Sequence, residues 1–268
     1  MDILESRSNN KFALSSVEKW LDLIPGKLLF YYEELITDDN FLLLVSESIK
    51  ENNSFKSEIP GLFKRVPINN VDWYGLQRIL LYCLVRELKP EVVLETGVYY
   101  GGNSVFILNA LAKNDKGKLI SIDYPQNIMV NTNLECRHPW VGDTENYDKS
   151  YLPGFIVPES LKDRWELLIG DSLNLMPDLR VEIDLFVHDS EHTFKHVFGE
   201  LDAVWDQLSS HGLAFVDDID WSNGFYSFVL SHFLYPLMLT DNGKDDLRVR
   251  TGLIKKSHRF NDLTGITK

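Results

Sequence analysis

Cysteine is scarce: two residues, Cys83 and Cys136, occur in a chain of 268. They form no CxxC pattern, which argues against a disulfide framework or a zinc site and fits a reducing cytoplasm. Long apolar runs are missing as well. None approaches the roughly 20 residues that span a bilayer, and the opening MDILESRSNNKF has neither the basic start nor the apolar stretch of a secretory leader. A soluble, cytoplasmic protein is the expectation. Positive charge is outweighed, with 27 Lys and Arg against 40 Asp and Glu and a formal net charge of -13. Such a balance opposes the counterion release that drives binding to polyphosphate. Neither nucleic acid nor a membrane is therefore expected as a partner, and no internal repeat suggests a solenoid.

What is present is a change of hydrophobic period near Pro90. Before it the pattern is helical. Ser15-Ser16-Val17-Glu18 reads as a capping box ahead of Trp20, Leu21 and Leu23, and Leu28 to Ile36 and Phe41 to Ile49 follow. Residues 1–72 are expected to form an N-terminal helical cap. Leu76, Leu80, Leu84 and Leu88 share one helical face, and Pro90 ends that helix. After Pro90, short apolar runs alternate with amphipathic segments, the pattern of a mostly parallel sheet covered by helices. The runs are Val92 to Leu94, Leu119 to Ile122, Leu167 to Ile169, Leu185 to Val187 and Leu213 to Val216. A helix from Phe194 through Leu208, stopped by Gly212, precedes the fifth. Ligands of such α/β sheets bind beyond the carboxyl ends of the strands.

The first strand runs into Glu95-Thr96-Gly97-Val98-Tyr99-Tyr100-Gly101-Gly102-Asn103-Ser104. Glycines there permit positive φ and close backbone approach to a ligand. The turn lacks GxGxxG and carries a carboxylate, which suits a cationic ligand better than a pyrophosphate. The second strand ends at Asp123-Tyr124, where an acid either accepts ribose hydroxyls or shapes a turn. The third ends at Gly170-Asp171-Ser172, where the carboxylate either takes an adenine amino group or caps the next helix.

As an ordered set, LETGVYYGGNS, ISIDYP, LLIGDS, FVHDSEHTF and HGLAFVDDI resemble the class I S-adenosylmethionine-dependent methyltransferases. They come nearest the small-molecule O-methyltransferases of macrolide sugars, aminocoumarin sugars and catechols. The resemblance spans roughly Trp73 to Lys256. It implies a Rossmann-like, seven-stranded α/β sheet over 73–268, with a lid-like insertion near 124–165. The implied cofactor contacts are Glu95, Thr96, Gly97, Gly101, Ser104, Asp123, Tyr124, Gly170, Asp171, Ser172 and Asp189. It also implies S-adenosylmethionine as cofactor and a small-molecule acceptor, a sugar or a phenolic, while homo-oligomerisation stays open.

The fourth and fifth strands end in His188-Asp189-Ser190-Glu191-His192 and Asp217-Asp218-Ile219-Asp220-Trp221. Asp189, Asp217 and Asp218 offer hard oxygen ligands of the kind Mg²⁺ takes, and clustered carboxylates need a cation, a basic partner or solvent between them. The alternative is a set of turn and capping aspartates. An alcohol is a poor nucleophile until its proton is removed or its oxygen is metal-bound. His192 and Glu191 are the two candidates for the base, His192 slightly preferred. The resemblance leaves that choice open, because the related enzymes use a Lys at the first position or an acid at the second. Trp140, Tyr147, Tyr151 and Phe155 in the long connection, and Trp221, Phe225 and Tyr226 after the fifth strand, are candidates for an acceptor wall.

Overall fold

The computed structural model describes residues 3–51, 75–124, 153–240 and 249–258. Three helices open the chain: α1 (Ile3–Leu21), α2 (Lys27–Ile36) and α3 (Asp39–Glu51). The capping-box reading of Ser15 to Glu18 is corrected, because all four residues lie inside α1. Ser16 Oγ instead bonds back to Phe12 O at 3.0 Å, within the helix. Glu18 caps a different helix. Its carboxylate accepts from the backbone N–H groups of Gly26 (2.9 Å) and Leu28 (2.6 Å), the exposed donors at the start of α2.

Next come α4 (Gly75–Leu88), β1 (Val92–Thr96), α5 (Gly102–Asn114) and β2 (Lys118–Asp123). After a 3-10 turn at Glu159–Arg164 come β3 (Trp165–Ile169), the one-turn α6 (Ser172–Leu175), β4 (Ile183–His188), α7 (Phe194–Trp205) and β5 (Leu208–Val216). The chain closes with α8 (Gly224–Ser231), β6 (Leu237–Thr240) and β7 (Val249–Lys255). The seven strands form one sheet in the order β3-β2-β1-β4-β5-β7-β6. The first five run parallel, and β7 lies antiparallel between β5 and β6. This is the Rossmann-like, seven-stranded architecture that the resemblance implied.

One boundary differs from its sequence reading. Leu208 has the right period for the preceding helix, but α7 stops at Trp205 and Leu208 opens β5, paired with Ile183. Gly212 lies inside β5 and does not end the helix.

Alternation along the strands divides the sheet into two apolar layers. Val93, Leu185, Val187, Leu213 and Phe215 face α4 and α5, together with Leu14, Val17, Leu28, Tyr32 and Leu35 from α1 and α2. Leu94, Phe186, Ala214 and Val216 face α7 and α8. Helix α4 is buried on every side from Ile79 to Val85, because α2 covers the face turned away from the sheet. The amphipathic pattern of α4 predicts one apolar stripe, whereas the N-terminal helices supply a second covered face.

Candidate functional site

Between β1 and β4 the strand order changes direction, since β1 leads outward to β2 and β3 while β4 leads to β5. That switch point opens a crevice beyond the carboxyl ends. The glycine turn after β1 forms its floor. Gly97 has φ +82°, and a Cβ there would overlap the backbone carbonyl of Asp189. Gly101, with φ +97°, lies against Gly154, where an added Cβ would come within 2.9 Å of the Gly154 Cα. Backbone bonds from Gly154 N to Tyr99 O (2.7 Å) and from Ile156 N to Tyr100 O (3.1 Å) fasten the end of the long connection onto this turn. Residues 125–152 of that connection, with Cys136, Trp140, Tyr147 and Tyr151, lie outside the described residues.

Glu95 is fully buried. Its Oε2 accepts from Ser104 Oγ at 2.7 Å and Ser121 Oγ at 2.6 Å, while Oε1 meets no donor among the described residues. Burial pushes its carboxyl up to about 7, against the pull of those two hydroxyls. Asp123, at the end of β2, uses Oδ2 to accept from the N–H groups of Val98 (2.7 Å) and Tyr99 (2.8 Å). It thus braces the glycine turn across the crevice, and burial raises its carboxyl despite these bonds. Tyr124 beside it is half-buried, as are Gly170 and Asp171 at the end of β3. Asp171 Oδ1 caps α6 by accepting from Leu173 N at 2.9 Å, the capping alternative read from the sequence. Two expected cofactor contacts turn elsewhere. The hydroxyls of Thr96 and Ser172 both point to Glu200, a buried residue of α7 that sequence reading did not select.

Beyond β4 and β5 the structure brings Asp189, Asp217, Asp218 and His192 together. Asp189 Oδ2 accepts from Asn103 Nδ2 at 2.7 Å and lies 3.5 Å from Gln77 Nε2. Neither donor was anticipated from the sequence, because Asn103 reads as helix start and Gln77 lies on a remote helix. His192 is buried. Its Nε2 stands 3.8 Å from Asp189 Oδ1 and 3.9 Å from Asp218 Oδ2. Trp221, 37% exposed, lies against the His192 ring with centroids 5.5 Å apart. Burial, followed by the Asp218 charge, pushes Asp189 up to about 7. Burial and then the Asp189 and Asp218 charges raise Asp217 well above the usual carboxylate range.

The expected metal set of Asp189, Asp217 and Asp218 is not assembled as one. Among the described residues no group of three His, Cys, Asp or Glu side chains is arranged to hold a metal ion. Oxygens of two of the three face protein groups: Asp189 meets Asn103 and His192, and Asp218 meets His192 and Arg250, whose Nε is 3.7 Å from Oδ1. As arranged, the residues do not fit the Mg²⁺ site expected from these three carboxylates. Glu191, the other expected base, turns away from this cluster toward α7, where its Oε2 lies 3.1 Å from His196 Nε2.

Comparison with known proteins follows the same lines. Residues 94–219 match a family described as a methyltransferase domain. Curated protein sequences give no match. Among solved structures, an O-methyltransferase from Bacillus cereus in complex with SAH is 14% identical, with a TM-score of 0.53, covering 92% of this chain and 100% of that one. The O-methyltransferase TomG from Streptomyces achromogenes, involved in tomaymycin synthesis and crystallised with SAM, is 14% identical at a TM-score of 0.53, covering 91% and 98%. A putative O-methyltransferase from Klebsiella pneumoniae is 16% identical at 0.52, covering 91% and 98%. At these identities the likeness is one of fold.

Proposed function

We propose that the protein, whose residues 94–219 match a family described as a methyltransferase domain, is an S-adenosylmethionine-dependent O-methyltransferase acting on a hydroxyl of a small metabolite. The observation that carries this reading is Glu95. A carboxylate fully buried at the end of β1, with one oxygen meeting no donor among the described residues, suits a cationic amino-acid ligand laid across the glycine turn. The O-methyltransferases of like fold that were crystallised with SAH or SAM support the choice of cofactor.

In this reading Glu95 faces the ammonium of the cofactor, and Gly97 and Gly101 let the backbone lie close to it. Asp123 offers its remaining oxygen to the ribose, and Asp171 its second oxygen to the adenine side. When bound, S-adenosylmethionine supplies an electrophilic methyl group on a sulfonium. His192 accepts the proton of the acceptor hydroxyl, and Asp189 and Asp218 orient the ring and stabilise its charged form. The half-exposed rings of Trp221 and Tyr99 suit the apolar face of a sugar or a phenolic acceptor. No step of this mechanism is routed through a divalent metal, because oxygens of Asp189 and Asp218 face Asn103, His192 and Arg250.

The test is calorimetric titration with S-adenosylmethionine, followed by incubation with isotopically labelled cofactor and a panel of sugars and phenols read by mass spectrometry. Cofactor binding at micromolar concentration and a mass gain of one methyl on oxygen are expected. Absence of cofactor binding overturns the reading.

A further inference from the structure

On the face of the sheet covered by α7, directly below the strand ends, lies a polar cluster that the mechanism above does not use. Its centre is Glu200, in the middle of α7 and fully buried. Oε2 accepts from Thr96 Oγ1 at 2.6 Å and from His188 Nδ1 at 2.6 Å. Oε1 accepts from Ser190 Oγ at 2.7 Å and from Ser172 Oγ, and His196 Nδ1 stands 3.8 Å from it. The partners come from the end of β1, the residue that opens α6 after β3, the end of β4 and the residues just beyond it, and α7 itself. One carboxylate thus ties three strand ends to one helix.

A buried carboxylate without partners would be costly, and burial alone would raise this one. His188 first, together with Ser172, both within hydrogen-bond reach, and His196 nearby, outweigh burial and hold Glu200 well below the usual carboxylate range. An ionised carboxylate can only accept, so Nδ1 of His188 carries a hydrogen toward it. The other ring nitrogen, Nε2, is buried and meets no partner among the described residues. The His188 ring stands edge-on to His192, with centroids 5.5 Å apart and planes at 85°.

We propose that Glu200 is a positioning residue of the site: it fixes the Nδ1–H form and the orientation of His188, so that Nε2 is presented to a polar group of the bound nucleoside cofactor. By the same bonds it holds Thr96, Ser172 and Ser190, and so sets the shape of the pocket without touching the cofactor. This accounts for two residues that the sequence placed among the ligand contacts and the structure turns inward. The cofactor arm of the inference rests on the methyl-transfer reading, whereas the state of the His188 ring does not.

The experiment pairs Glu200→Gln with His188→Asn. The first keeps shape but brings N–H donors against donors. The second keeps an N–H for Glu200 and removes Nε2. Long-range ¹H–¹⁵N correlation of the imidazoles is expected to give the Nδ1–H pattern for His188 in the wild type and to lose it in Glu200→Gln. Calorimetry with S-adenosylhomocysteine is expected to show binding at least tenfold weaker in both variants, with His188→Asn keeping a melting temperature near that of the wild type. An unchanged His188 pattern in folded Glu200→Gln overturns the proposal, as does wild-type affinity in both variants. Should Glu200→Gln not fold, His188→Asn and the wild-type imidazole spectrum carry the test. A wild type that binds no S-adenosylhomocysteine would remove the methyl-transfer reading, and the spectrum would still decide the role of Glu200.

Discussion

A side chain at Gly97 would occupy the place of the Asp189 backbone carbonyl, since a Cβ built there overlaps its oxygen. The glycine turn and the end of β4 are therefore in backbone contact, and residue 97 also needs a positive φ of +82°. Gly97→Ala should be destabilised by more than about 3 kcal/mol, as strain and backbone overlap combine. Thermal melting checks this, and a variant melting within a degree or two of the wild type would contradict it.

The two candidate bases should separate cleanly. His192→Ala is expected to lower kcat at least a hundredfold, the usual scale for losing a general base. Glu191→Gln should change it only a few-fold, because Glu191 pairs with His196 on α7. Single-turnover rates at saturating cofactor are the measurement, and equal losses in the two variants would count against His192 as the base.

Asp123 serves two partners at once, bracing the turn through Val98 and Tyr99 and facing the ribose in the proposed complex. Hydrogen bonds to a charged group contribute about 1.5–3 kcal/mol each. Asp123→Ala should accordingly weaken S-adenosylhomocysteine binding by at least tenfold, measured by calorimetry, with the protein still folded.

The buried carboxyl of Glu95 sets a pH dependence of stability. Its value rises from an ordinary 4.5 in the unfolded chain to about 7 in the folded one. The folded state binds the proton more tightly, so its contribution is complete below about 4.5 and is lost as pH climbs toward 7. The melting temperature of the cofactor-free protein should fall over that window, and Glu95→Gln should flatten the decline. A wild-type melting temperature that rises with pH across the window would contradict this assignment.

Chelation decides the metal question. Because the oxygens of Asp189 and Asp218 face Asn103, His192 and Arg250, methyl transfer should persist in EDTA and gain nothing from added Mg²⁺. Loss of activity with chelator and recovery with Mg²⁺ would restore the carboxylates as ligands.

Much of the fold is legible in the chain itself. The runs beginning at Val92, Leu119, Leu167, Leu185 and Leu213 all lie in parallel strands, and those inside the sheet are apolar because both of their faces are covered. Glu95, Asp123 and Asp171 stand out in the sequence because each is an acid just past such a run, where α/β sheets bind their ligands. Glu18 misleads because a cap three residues away and a cap for the next helix look the same in sequence. Leu208 misleads because one more apolar residue at helical spacing carries no mark of the turn that follows Trp205.

The sequence by itself determined the strand ends and the kinds of side chain placed there, since period and punctuation are local properties. Only the tertiary structure decided which partners those side chains take. Asn103 and Gln77 reach Asp189 from other helices, and Glu200 draws Thr96, His188 and Ser172 together across three strand ends. Such pairings depend on sheet order and on which face each residue occupies. No spacing along the chain records either.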